Sequence, residues 1–343
     1  MGKTTLLEHL VNKNDCLMLN CDNHDDRADL ENKTTTELRN LVGNHKVVVI
    51  DEAQRVKNIG LTLKMLVDMK LSVQILATGS SSFALANEIN EPATGRLLEY
   101  HLFPLSLSEL AAHTSQREEQ RLLEQRMIYG LYPEVVTHPE YARRILQNLA
   151  NNYLYRDLFG YQGIKKPDVL QKLVRALALQ VGSEVSYNEL SRLIGLDKAT
   201  VESYIDLLEK CYVVFRLPSY SRNLRSEIKR GKKIYFYDNG IRNALISNFS
   251  PLEQRNDVGV LWENLMISER VKRNSYKQNY AQMYFWRTQQ QQEIDLIEES
   301  DGQLSAYEFK WRKTNARMPK PFVESYSGTE LKVVTPENFW EFV

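Results

Sequence analysis

Two sets of residues in this 343-residue chain have the types and spacing to handle phosphate. The first is divided between the opening MGKTTLLEHL and the later VVVIDEAQ. Gly2, Lys3 and Thr4 supply the last three positions of G-x-x-x-x-G-K-[ST], a loop whose backbone N–H groups and following helix N-terminus cradle phosphates. In such a loop Lys3 reaches the β- and γ-phosphates and the Thr4 hydroxyl meets Mg²⁺, with Gly2 and Thr5 on either side of the pair. GKTT alone is a short match. It gains force from Val47–Ile50, an apolar run that ends in Asp51 and Glu52, because a buried strand delivering two carboxylates beside a phosphate loop can support the metal through Asp51 and activate water through Glu52.

Two weaker positions belong with these. ATGSSS places Thr78 or Ser80 where a polar side chain can sense a γ-phosphate, although Gly-Ser clusters also mark an ordinary strand-to-loop turn. Arg96 offers a phosphate a positive charge in its own subunit or a neighbour's, or else is a surface arginine with a packed stem. With no residue before Met1, the first half of the loop and the strand feeding it are expected to be missing. Nucleotide binding by the chain as written is therefore expected to be weak, with ATP and Mg²⁺ as cofactors once the loop is completed.

The second set lies near the C-terminus. In EIDLI, strand alternation puts Asp295 opposite Ile294 and Leu296, and in YEFKW, Glu308 and Lys310 share one face. An Asp followed a dozen residues on by Glu-x-Lys resembles the PD-(D/E)-x-K nuclease core, in which acidic residues hold Mg²⁺ and the lysine orients water. Glu263 in LWENLMISE matches the extra acidic residue that this fold offers from a preceding helix. Asp295 and Glu308 are the metal candidates, and Mg²⁺ favours such oxygen ligands. The plain alternative is a hairpin whose cross-strand Asp–Lys pairs only stabilise the sheet.

These residues must be held by folded elements, and the composition allows for them. Apolar residues make up 43% and charged residues 26%, as in ordinary globular proteins, and the net charge is zero, so nucleic-acid contact would need a local basic patch. No apolar run approaches the ~20 residues of a membrane helix. No secretory leader is visible, and three cysteines, Cys16, Cys21 and Cys211, suit a reducing compartment, so a cytoplasmic location is expected. Cys16, Cys21 and His24 have the wrong spacing for a zinc knuckle.

Residues 1–110 alternate helical patterns with apolar runs at 16–22, 46–51, 73–79 and 98–105, the pattern of an α/β core with a parallel sheet lacking its first strand. Residues 111–165 read as a helical lid or connector. From 166 to 217, two short helices joined at Gly195, the second capped by Asp197, and a following hairpin match a winged helix. Residues 218–343 form a further α/β block, in which the aromatics near 276–286 alternate as sheet-face residues. Between 216 and 233, Arg216, Arg222, Arg225, Lys229, Arg230, Lys232 and Lys233 face a single acidic residue, Glu227. Apart from Arg216, these are the candidate DNA contacts, although the 198–210 helix is too acidic to read a groove strongly.

The succession GKTTLL, VVVIDEAQ, ATGSSS, GRLLEYHLFPLSLSEL, YGLYPEVV, YFYDNGIRNAL, GVLWENLMISE, EIDLI and YEFKW resembles the prokaryotic AAA+-type ATPases of unknown biological role whose C-terminal half is a winged-helix and endonuclease-like region. The resemblance runs over nearly the whole chain. It departs at the start, where that group carries a strand and glycine-rich segment before GKTT. It implies an ATPase coupled to a DNA-associated, DNA-cleaving end, the alternative being a non-catalytic DNA- or protein-binding regulator with a degenerate nucleotide site. By analogy with AAA+ rings, a homo-oligomer is expected.

Overall fold

The computed structural model describes residues 2–12, 15–79, 97–153, 167–221, 231–312, 316–326 and 328–343. Four positions of interest, Arg222, Arg225, Lys229 and Arg230, lie outside them, as do Ser80 and Arg96. Packing separates the chain into two units, Met1–Leu102 and Phe103–Val343.

The first unit runs α1 (Lys3–Leu10), β1 (Cys16–Asn20), α2 (His24–Ala28), α3 (Thr35–Val42), β2 (Val47–Asp51), α4 (Ile59–Asp68) and β3 (Gln74–Ala77). Its three strands pair in parallel in the order β1–β2–β3, with Leu19 opposite Ile50 and Ile50 opposite Ala77. A central parallel strand covered on both faces needs apolar side chains on both, which is why VVVID is uninterrupted up to its carboxylate. Leu38, Val42, Leu63 and Leu66 from α3 and α4 close over Val48 and Ile50. A capping box fixes the start of α3: Thr34 Oγ1 accepts from Glu37 N at 3.3 Å, and Glu37 Oε2 accepts from Thr34 N at 2.8 Å.

The run at 98–105 forms no strand. Leu98 and Tyr100 are 80% and 77% exposed, whereas Phe103 is buried, so the run is not one continuously buried strand.

In the second unit α5 (Leu107–His113), α6 (Gln116–Arg121), α7 (Leu123–Tyr129), α8 (Pro133–Thr137) and α9 (Ala142–Asn148) precede α10 (Pro167–Leu179), β4 (Glu184–Val185), α11 (Tyr187–Ile194), α12 (Lys198–Lys210) and β5 (Val214–Pro218). Then follow β6 (Lys232–Phe236), α13 (Asn239–Leu245), α14 (Val258–Tyr276), β7 (Gln282–Arg287), β8 (Glu293–Ser300), β9 (Gln303–Phe309), α15 (Lys320–Ser325) and β10 (Leu331–Val334). An antiparallel sheet β4–β6–β5 and a mixed sheet β10–β9–β8–β7 result. Ser106 opens α5, and the expected cap Asp197 opens α12, whose Thr200 N donates to Asp197 Oδ1 at 2.9 Å, after Gly195 turns the chain at φ 71°. The main apolar core draws on residues from Leu107 to Val343, and a smaller one gathers Tyr220, Trp286, Ile294, Ile297 and Phe322.

The motifs YGLYPE and DNGIRNA are joined by a buried polar clamp. Asp238, 4% exposed, accepts from Leu131 N at 2.6 Å and Ile241 N at 3.0 Å, and Asn243 Nδ2 donates to Ile128 O at 2.8 Å. Gly130 has φ 71°, and a Cβ there would lie 2.1 Å from Asp238 Oδ1, so only glycine lets the two motifs approach. Arg242 and Arg255 extend the clamp to Asp257, at 2.5 and 2.8 Å.

Burial opposes charge on Asp257, but the two guanidiniums outweigh it and pull the carboxyl down to about 2. A depressed carboxyl contributes stability above its unfolded value of about 4 that is lost as pH falls through about 2. Asp257→Asn should therefore cost about 1–2 kcal/mol near neutral pH, with a smaller gap from wild type near pH 3, measured by urea unfolding at both.

Candidate functional site

Two side chains in the first unit, those of Thr4 and Thr78, meet at Asp51. The carboxylate ends β2 at 3% exposure, a position in which it must find donors within the protein. Its Oδ2 accepts from Thr4 Oγ1 at 2.7 Å, its Oδ1 accepts from Thr78 Oγ1, and the Glu52 N–H lies 3.2 Å from Oδ1. Thr78 is placed by the strand ladder: its N–H donates to Ile50 O at 2.9 Å and its carbonyl accepts from Ala53 N at 2.8 Å. Of the two sensor candidates, Thr78 therefore touches Asp51, and Ser80 lies outside the described residues.

Gly2 caps α1 at φ 79°, and Lys3 at its first turn donates its ammonium to Gly79 O. Thr5 is exposed on α1 and its carbonyl is bound by His9 Nδ1 at 2.8 Å. Glu52 has φ 53°, a left-handed conformation unusual for a non-glycine residue, and its Oε2 accepts from Gln54 Nε2 at 2.5 Å. A hydroxyl oxygen and a carboxylate oxygen 2.7 Å apart form the hard-oxygen corner that Mg²⁺ accepts, and Lys3 stands on the next residue, so these side chains fit a magnesium–nucleotide group.

The C-terminal set is also assembled, from α14, β8 and the end of β9. Register pairs Tyr284 with Ile297 and Trp286 with Ile294, so β8 takes three steps against two of β7. This bulge breaks the simple alternation expected around Asp295: Ile294 packs with Ile297, whereas Leu296 joins the core beside Phe309. Asp295, 8% exposed, accepts from Phe309 N at 2.8 Å. Glu308 Oε1 accepts from Lys310 Nζ at 2.7 Å, and burial of Lys310 is outweighed by that carboxylate, so the ammonium is held above its ordinary value.

Lys233 departs from the expectation that it faces DNA. It is 1% exposed, with Nζ 3.1 Å from Glu263 Oε1 and in an ion pair with Glu293. Burial alone would strip its proton, but Glu263, Glu293 and Asp295 more than offset this and raise it. Tyr235, two residues on and on the same face of β6, donates to Glu263 Oε1 at 2.5 Å. Arg216, also in the basic stretch, is occupied by Asp206, Glu209 and Tyr187. Lys232 remains half-buried at the start of β6. Sequence reading missed the part played by Glu293 and Tyr235. The signal was Lys233 itself, the second lysine of KKIYF and the one carried into the apolar part of the strand, where a charge must be paired.

Residues 1–111 match the family model of an AAA domain, and with the parallel sheet and the Thr4–Asp51 geometry the first unit is an ATPase-like domain of the P-loop type. Residues 120–252 and 258–338 each match a domain of unknown function, DUF8612 and DUF4143 respectively. Similar proteins include uncharacterized proteins of Mycobacterium bovis and Mycobacterium tuberculosis, each 28% identical over 279 residues, which is 80% of this chain and 60% of theirs. An uncharacterized protein of Methanocaldococcus jannaschii is 24% identical over 323 residues, covering 86% of this chain and 69% of its own. The chain thus spans 60% of the length of the mycobacterial relatives. No helix among the described residues is long and apolar enough to cross a membrane.

Burial, with the Glu263 and Glu308 carboxylates, pushes Asp295 well above its ordinary value against the pull of Lys233 and the Phe309 N–H. A raised carboxyl keeps its proton in the folded state where the unfolded chain has released it, so stability falls as pH rises above about 4. Asp295→Asn should melt above wild type near pH 8, with the difference closing toward pH 4, as followed by thermal denaturation.

Proposed function

We propose that this chain is part of an ATP-binding and ATP-hydrolysing protein whose nucleotide state controls a DNA-associated C-terminal unit. The observation that supports hydrolysis is the Asp51 carboxylate joined to the hydroxyls of Thr4 and Thr78. In this reading Lys3 holds β- and γ-phosphate oxygens, Thr4 and Asp51 hold the magnesium, and Thr78 senses the γ-phosphate. Bound magnesium supplies charge neutralisation at the phosphates. Glu52, close to Asp51 and turned by its left-handed backbone, orients the attacking water and accepts its proton.

Association with DNA is supported by the second unit's order of elements. Helix α10, strand β4, helices α11 and α12 around Gly195, and strands β5 and β6 follow the order of a winged helix, and α14 with β7–β10 fits an endonuclease-like fold. Helix α12 opens with Lys198 but carries Glu202, Asp206 and Glu209, so phosphate tracking falls to Lys232 with Arg222, Arg225, Lys229 and Arg230. A four-part division at 1–110, 111–165, 166–217 and 218–343 is part of this reading.

The test of hydrolysis uses the protein with the G-x-x-x-x-G-K-[ST] loop complete. Mg²⁺-dependent phosphate release should fall by about 10²-fold or more in Glu52→Gln with nucleotide still bound. Equal turnover in both proteins would sink the ATPase reading and favour a regulator with a degenerate site. For DNA, replacing Arg222, Arg225, Lys229 and Arg230 together by alanine should weaken duplex binding and flatten its salt dependence in fluorescence anisotropy. Unchanged affinity would remove this stretch as the contact.

A further inference from the structure

Reading the C-terminal unit as endonuclease-like implies a divalent cation among Glu263, Asp295 and Glu308, but a tethered ammonium, Lys233, already stands against Glu263 and Glu293. Each of the three has one of its two oxygens committed to a protein donor: Glu263 Oε1 to Lys233 and Tyr235, Asp295 Oδ2 to the Phe309 N–H, and Glu308 Oε1 to Lys310. Lys233 enters from β6, a strand outside the four-stranded sheet, and its ammonium stands between Glu263 and Glu293 and 5.5 Å from the centre of the Phe285 ring. Glu293 is further held by Arg287, whose Nε lies 3.2 Å from its Oε2. Among the described residues no group of three or more His, Cys, Asp and Glu side chains is placed to hold a metal ion.

We propose that Lys233 is the resident cation of this carboxylate set, so that the second unit keeps an endonuclease-like arrangement but closes it around an ammonium and takes up no divalent metal. A hard divalent ion needs several oxygen ligands at once and gives up water reluctantly. It would have to displace a tethered ammonium that is buried with its counter-charges, and, if the lysine stayed, sit against a like charge at short range. The work of the set is then mechanical: one lysine and one tyrosine of β6 bind the three-stranded sheet to α14 and β8.

The inference rests on the endonuclease-like reading of this unit and is independent of the ATPase reading, because it is tested without nucleotide in an Asp51→Asn background that disables the other oxygen corner. Mn²⁺ uptake by the full chain is followed by electron paramagnetic resonance. The Asp51→Asn protein should show no saturable Mn²⁺ site, and adding Asp295→Asn should change nothing. Adding Lys233→Met should create one Mn²⁺ site per chain, lost again when Asp295→Asn is combined with it. Saturable Mn²⁺ binding in the Asp51→Asn protein that Asp295→Asn abolishes would overturn the proposal, and so would a folded Lys233→Met variant that gains no site. Should Lys233→Met not fold, the comparison with and without Asp295→Asn decides the matter alone. Failure of the endonuclease-like reading would appear separately, as loss of any DNA affinity with Mn²⁺ behaviour unchanged.

Discussion

An ammonium taken out of water must bring its counter-charges with it, and in the second unit Lys233 imposes that condition on three elements at once. Removing one partner of such a buried pair costs roughly 3–5 kcal/mol, because the remaining charge is stranded. Glu263 on α14 and Glu293 on β8 are therefore fixed to β6, and Tyr235 adds a second donor to Glu263. Helix α14 follows the same rule along its length. Glu269 accepts from Leu107 N at 2.7 Å and pairs with Lys272 at 2.6 Å, while Arg270 reaches Glu298 and the Phe342 carbonyl at 2.6 Å. The helix looks like a charged surface helix in sequence and is buried because its charges are matched.

The first unit depends on a carboxylate instead of an ammonium. Asp51 is buried, and the hydroxyls of Thr4 and Thr78 meet its two oxygens. Asp51 ends β2 and Thr78 follows β3, so register aligns these two, while Thr4 comes from the first turn of α1. The sheet thus sets positions, and short polar side chains gather at its carboxyl end.

Much of this was legible in the residues. VVVID announces a buried parallel strand, Ser106 and Asp197 announce helix starts, and Gly195 announces a left-handed turn, because each rests on local stereochemistry. GKTT and DEAQ pointed to two segments that the structure brings together, with Thr4 Oγ1 2.7 Å from Asp51 Oδ2. What could not be read depended on distant packing. The apolar letters of 98–105 suggested a strand, but Leu98 and Tyr100 lie exposed. Alternation placed Asp295 opposite Leu296, and a bulge set by pairing with β7 altered that arrangement. Lys233 sat among arginines and lysines and read as one of them, since composition along the chain does not reveal that β6 carries it under α14.

The outer strand of the first sheet carries a further consequence. Among the described strands β3 pairs on one side only, with β2, and its apolar side chains Ile75, Leu76 and Ala77 are half-buried. A strand edge with free main-chain donors and acceptors is a template for any extended segment. At four residues it is short, which limits the register available to an incorrect partner. Among the described strands β1 is the sheet's other edge, at five residues, so both edges that could template a partner are short.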